Sequence, residues 1–226
     1  MPTGTLEILY EDNHLLCVVK PPGMLSQGDR TGDVSLLDAA KAYIKKKYQK
    51  PGNVYLGLVH RLDRPVGGVV VFARTSKAAR RLSAAFRGRE VEKHYLAAVS
   101  GRPDPEAGEL LDFLKKSGTK TIVTTQDDPD GKEARLRYRT LETVDEKSLV
   151  SIELLTGRRH QIRVQLAQIG SPVIGDVKYG GKRITPGGVV ALYAHRLVIP
   201  HPVSGDPVEL SSLPPDVFPW SLFHSK

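Results

Sequence analysis

Val59-His60-Arg61-Leu62-Asp63-Arg64-Pro65-Val66-Gly67-Gly68-Val69-Val70-Val71-Phe72 is the stretch whose reading decides the fold. An apolar run, Val54 to Val59, enters it, and a second, Val69 to Ala73, leaves it. Between them lies a loop with one carboxylate, Asp63, flanked by Arg61 and Arg64, in which Pro65, Gly67 and Gly68 bend and free the backbone. Two strands delivering a short charged loop mount a reactive group on a rigid frame. A surface turn with a local ion pair carries the same signature, so the stretch needs a partner elsewhere in the chain.

That partner is Leu155-Thr156-Gly157-Arg158-Arg159-His160-Gln161-Ile162-Arg163-Val164-Gln165-Leu166-Ala167. Lys93-His94-Tyr95-Leu96-Ala97 lies between the two, and Gly175-Asp176-Val177-Lys178-Tyr179-Gly180 follows them. In this order the four segments resemble the HRLD, K-x-Y, TGR-x-HQIR and GD-x-x-YG motifs of the RluA-type pseudouridine synthases, which isomerise uridine in RNA. The resemblance runs from about Ile8 to about Leu213. It implies an α+β fold: a mixed, largely antiparallel, bent sheet in two halves with a central cleft and flanking helices. It also implies a single catalytic domain over 1–226.

The resemblance further implies the site. Asp63 is the essential carboxylate. The uracil detaches from C1′, turns in the pocket and rejoins through C5, by way of either an Asp63 adduct or a glycal. Tyr95 is expected to stack on the flipped base, Arg163 to pair with Asp63, and Arg61 to fill the place of the extruded nucleotide, because the target atoms are out of reach while stacked. Two departures stand out. Pro65-Val66-Gly67-Gly68 replaces a common Thr-Ser-Gly segment, and Arg163-Val164-Gln165 replaces R-x-H. Neither touches the catalytic groups, and both bear on which RNA is accepted. With no S4 module ahead of the fold, target selection is expected from the catalytic domain's own surface.

The chemistry of the residues agrees. Neighbouring guanidinium groups favour the charged form of Asp63, which suits a nucleophile or electrostatic stabiliser. Glycosidases that attack an anomeric carbon with a carboxylate need a second one for the leaving oxygen. The motifs offer no obvious second carboxylate for that role, Asp176 reading as part of its turn, but uracil carries its own negative charge on leaving. His60 and His160 read as hydrogen-bonded structural residues, and Asp176 as the holder of its turn.

Composition sets the bounds. The 226 residues suffice for one sizeable core or two tightly joined halves. Thirty-three Lys and Arg against 25 Asp and Glu favour a polyanionic partner. One cysteine, Cys17, excludes an internal disulfide and a cysteine-cluster metal site. The scattered histidines imply no metal, no glycine fingerprint implies a nucleotide cofactor, and no apolar stretch reaches membrane length. Met1 to Thr5 shows no secretory pattern. The expectation is a cofactor-free, monomeric, cytoplasmic enzyme acting on tRNA or rRNA. An RNA-binding folding or assembly factor and a base-excising glycosidase are the competing readings.

Along the chain, Leu6 to Tyr10 and Leu15 to Val19 read as strands, with Lys20-Pro21-Pro22-Gly23 stopping the second. Asp33 is expected to cap a helix from Val34 to Tyr48, and Thr75 or Ser76 one to Phe86. The basic face of the latter, Lys77, Arg80, Arg81 and Arg87, suits a phosphate backbone and a solvated surface equally. Leu110 to Gly131 reads as polar and punctuated, with a short strand at Lys120 to Thr125 and a basic RNA-facing loop at Lys115 to Lys120. Ala134 to Val144 and Ser148 to Leu155 form a hairpin. A helix from Arg158 to Ile169 opens on an anion site made of Arg158, Arg159 and His160. Ala191 to Ile199 is the last strand, and Trp220 packs on the core.

Overall fold

The computed structural model describes residues 6–183 and 188–224. Met1 to Thr5 lies outside them. The chain divides into two units: Met1–Val91 with Arg196–Ser212, and Glu92–His195 with Leu213–Lys226.

The first unit is built around β4 (Gly67–Ala73), which is buried along its whole length. A run of seven apolar or small residues suits a strand covered on both faces. β1 (Ile8–Glu11) and β2 (Leu15–Lys20) form an antiparallel hairpin, and β2 pairs antiparallel with β4 from Leu15↔Ala73 to Lys20↔Gly68. That register sets Lys20 at the foot of the Asp63 loop. Of the apolar run before the loop only β3 (Gly57–Leu58) pairs with β4; Val54 and Leu56 are buried without forming a strand.

α1 (Leu36–Lys47) starts two residues later than Val34. Ser35 caps it, and Ser35 and Asp38 satisfy each other's backbone amides as a capping box. Asp33 is left free to pair elsewhere. Glu11 docks the far end of α1: Tyr43, Lys47 and Tyr48 all bond its carboxylate at 2.7 Å. α2 (Ser76–Gly88), capped by Thr75, buries Ala78, Leu82 and Ala85 against Leu15, Cys17, Val69 and Val71. Burying Leu82 alone is worth about 2 kcal/mol. The helix sits so close that a Cβ on Gly57 would lie 2.8 Å from the Ala79 Cβ. β10 (Leu192–Pro200) is not the last strand. Its second half pairs with β11 (Pro207–Ser211), which its opening proline and short length hide in the sequence.

The second unit is an antiparallel sheet of β5 (Glu92–Ser100), β6 (Ala107–Ser117), β7 (Lys120–Thr124), β8 (Lys132–Val144) and β9 (Lys147–Leu154), in the order β5-β9-β8-β6-β7. β8 buries Ala134, Leu136 and Tyr138 and exposes Arg135, Arg137 and Arg139, as its alternation predicts. The eleven-residue β6 corrects the polar reading of Leu110 onward. Its charged residues fall on both faces: Glu109 pairs with the exposed Arg135 and Arg137, and Asp112, on the opposite face, accepts from Gln165. Lys115 to Lys120 is therefore the β6–β7 hairpin rather than a free loop. α3 (Gln161–Gln168) is shorter than Arg158 to Ile169. Trp220 is buried edge-on to Tyr193, as expected. Few helices on a mixed, open sheet make the fold α+β.

Candidate active site

Four contacts hold the Asp63 loop from below. Leu62 N–H donates to Ser26 Oγ at 3.1 Å, and Ser26 Oγ–H donates back to the Leu62 carbonyl at 2.8 Å. Gly23 N–H donates to the Arg64 carbonyl at 2.8 Å. His60 Nε2 accepts the Val71 N–H at 3.0 Å while its ring stacks on Phe86. The loop closes with Val66 N–H on the Asp63 carbonyl at 3.0 Å. His60 is thus a structural residue, as read.

The fourth contact is Lys20, which sequence reading treated as a strand stop. It is fully buried, and its ammonium donates to the carbonyls of Pro21, Met24 and Arg64 at 3.1, 2.6 and 3.2 Å. All three of its protons are used. Burial pushes its pKa down from 10.5 to about 7; the Arg64 charge adds to this and the Asp63 carboxylate opposes it. A lysine closing an otherwise apolar buried strand was the available signal.

The stability consequence has a definite sign. Between pH 7 and its ordinary value, Lys20 carries fewer protons folded than unfolded, so stability rises with pH across that window. The slope reaches at most about 1.4 kcal/mol per pH unit. Urea unfolding of the native protein is expected to show this rise, and Lys20→Met to lack it. Equal pH slopes in the two would contradict the assignment.

Arg64 does not flank Asp63 as the sequence suggested. Its Nε donates to the Gly23 carbonyl at 3.0 Å and its guanidinium pairs with Asp33 at 2.7 Å, an exposed ion pair. Arg61 is exposed, and Asp63 is half-buried.

The second unit places the other two residues. Tyr95 lies in the half-buried opening of β5, opposite Ile152, before the strand enters the core at Leu96. Arg163 is buried and makes a two-pronged pair with Asp176, Nε to Oδ2 at 2.6 Å and a terminal nitrogen to Oδ1 at 2.7 Å. Its guanidinium also lies over the Tyr179 ring, 5.3 Å from the centroid. Asp176 accepts Lys178 N–H at 3.2 Å, so it holds its turn as read and seats Arg163 as well.

The rest of the second motif is a clamp. Gln161 accepts from Thr156 and from Arg158 N–H and donates to the Arg135 carbonyl; Gln165 donates to Asp112 and the Ala134 carbonyl. The three basic residues of the expected anion site also serve the fold. Arg158 donates to the Glu133 carbonyl, Arg159 to the Thr119 carbonyl, and His160 bonds the Tyr179 hydroxyl at 2.7 Å. His160 also holds a left-handed backbone, φ 54°, immediately before the helix.

These motifs can be set beside known proteins. Residues 14–168 match the family model described as RNA pseudouridylate synthase. The chain is 35% identical over 209 residues to Ribosomal large subunit pseudouridine synthase C of Vibrio cholerae, covering 90% of this chain and 64% of that protein. It is 34% identical over 230 residues to Ribosomal large subunit pseudouridine synthase D of Xanthomonas campestris, covering 93% and 66%. The chain thus spans just under two thirds of the length of these relatives. The solved structure of Human RNA Pseudouridylate Synthase Domain Containing 4 superposes with a TM-score of 0.80 at 25% identity, covering 96% of this chain and 91% of that one. Matched over most of its length in sequence and in fold, the chain belongs to the RNA pseudouridylate synthase family, in its RluA-type branch.

Proposed function

We propose that this protein is an RNA pseudouridine synthase. Its first candidate substrate is large-subunit ribosomal RNA, after the names of its relatives. The observation that carries the reading is the Asp63 loop: one half-buried carboxylate on a loop pinned by Lys20, Ser26, Gly23 and His60. Rigid mounting of a single charged group is what a reacting group requires and a surface turn does not.

The reaction is an isomerisation. The C1′–N1 bond breaks with its electron pair leaving on uracil, and the base rotates. C5 bonds to C1′, C5 loses its proton, and N1 gains one. Atoms and electrons balance without a cofactor. Asp63 stabilises or captures the electron-poor C1′. Lys20 sets the loop and supplies positive charge near Asp63. Activity is therefore expected to fall as pH rises through about 7, where Lys20 loses its proton. Tyr95 stacks on the flipped uracil. Arg61 takes its place in the RNA, and Arg163, fixed by Asp176, orients charge at the site. Both units serve one catalytic domain, acting as a monomer in the cytoplasm.

The test is to incubate the protein with unmodified large-subunit rRNA transcript and bulk tRNA, digest the RNA and resolve the nucleosides. Pseudouridine should appear with no free uracil. Free uracil would make the protein a glycosidase, and an unchanged nucleoside profile with retained RNA binding would favour a binding factor.

A further inference from the structure

The positive charge of this protein is unevenly placed. The first unit holds sixteen Lys and Arg against ten Asp and Glu, and the second seventeen against fifteen. Within the first unit the two helices differ. α1 follows the electrostatics of a solvated helix, with Asp38 in its first turn and Lys45, Lys46 and Lys47 in its last. α2 breaks those rules. It has no acid in its first turn and none anywhere along Ser76–Gly88. Lys77, Arg80 and Arg81 stand in its N-terminal half, where the helix dipole disfavours cations.

The helical period puts Lys77, Arg80, Arg81 and Arg87 on a single stripe, and all four are exposed. Like charges three and four residues apart repel. No carboxylate offsets them: among the described residues none of the four makes an ion pair, although Arg81 donates to the Pro202 carbonyl. Arg89, just past the helix, takes a left-handed backbone, φ 62°, where glycine would sit without strain. A site that breaks local rules with no gain inside the fold points to a partner outside it.

The chemistry of the stripe selects that partner. Its remaining members are Ala84 and Gly88, and the large apolar residues of α2 face the core. There is no apolar anchor for a lipid surface and no aromatic for a protein groove. What remains is a row of cations about 15 Å long, at 1.5 Å per residue, which matches several phosphates of a nucleic-acid strand. The row is rigidly joined to the Asp63 loop, because α2 packs on β4 and its Phe86 stacks on His60 at 4.8 Å.

We propose that Lys77, Arg80 and Arg87 form a phosphate rail that grips the backbone of the substrate RNA and sets its course toward Asp63. This rests on the RNA pseudouridine synthase reading and adds where the RNA is held. The test uses the full chain and a fluorescein-labelled, unmodified RNA hairpin. The binding constant is measured against salt for the native protein and for Lys77→Gln/Arg80→Gln/Arg87→Gln. The comparison variant is Lys45→Gln/Lys46→Gln/Lys50→Gln, which removes the same charge from exposed positions at and beyond the end of α1. Glutamine keeps helix propensity, so both are expected to fold.

The α2 variant should bind roughly 10- to 100-fold more weakly near 0.15 M salt, with the log–log salt slope reduced by about 2 to 3. The α1 variant should lower the slope by less than about 1. Equal losses in the two would reduce the effect to net charge and overturn the rail, as would an unchanged slope in the α2 variant. So would binding to anionic phosphatidylserine vesicles that the α2 variant loses while keeping its RNA affinity. The two readings fail separately. A native protein that binds RNA with this salt dependence but forms no pseudouridine sinks the function and leaves the rail. Pseudouridine formation with a native KM in the α2 variant sinks the rail alone.

Discussion

Asp63→Asn is expected to lower pseudouridine formation by at least roughly 10³-fold, the scale on which removing an enzyme's central reacting group acts. The amide keeps the shape of the carboxylate and loses its charge and nucleophilicity. The loop should stay in place, because Lys20, Ser26 and Gly23 hold the backbone at Leu62 and Arg64. Thermal melting should therefore move little. One further change is expected: without the neighbouring carboxylate, Lys20 gives up its proton at still lower pH. Asp63→Glu should also be strongly impaired, since one added methylene displaces a group on a pinned loop. Activity within tenfold of native in either variant would remove Asp63 from the chemistry.

The second large effect lies in the other unit. Asp176→Ala leaves the Arg163 guanidinium buried without its two-pronged partner. Breaking such a pair from one side costs about 3–5 kcal/mol, or a fall in melting temperature of roughly 10 °C for a chain of this size. The turn has no slack to compensate. A Cβ on Gly181 would meet the Val173 carbonyl oxygen at 2.4 Å and Asp176 N at 2.7 Å, so Gly181→Ala should strain the same turn. Asp176→Asn, which keeps acceptor and shape, should fall between native and Asp176→Ala. Urea unfolding measures all three, and a cost below about 1 kcal/mol for Asp176→Ala would contradict a buried pair.

What the sequence revealed depended on periodicity and punctuation. The buried run Val69 to Ala73, the alternation of Arg135, Arg137 and Arg139 with Leu136 and Tyr138, and the Thr75 cap each carry a local signal, and each element formed where expected. β6 was missed because Glu109, Asp112, Lys115 and Lys116 look like loop residues until β8 is set beside them. The Ser35 cap was missed because Asp33, two residues earlier, is an equally good capping residue; the reciprocal bond to Asp38 decides.

The site divides in the same way. Asp63, Arg61, Tyr95 and Arg163 were named from motif resemblance. The residues that seat them were not, because their partners are remote in sequence: Lys20 and Ser26 on Arg64 and Leu62, and Asp176 on Arg163. Arg158, Arg159 and His160 also anchor the fold, through bonds to distant carbonyls and to Tyr179 that the local sequence does not show.

The central claim is that uracil leaves C1′ and returns through C5. Its most direct test is to supply RNA carrying tritium at C5 of uridine and to follow label released to water against pseudouridine formed. The account predicts release by the native protein, one tritium per pseudouridine, with no free uracil and none of it by Asp63→Asn. Label retained in RNA that binds and dissociates unchanged, or label recovered in free uracil, would contradict it.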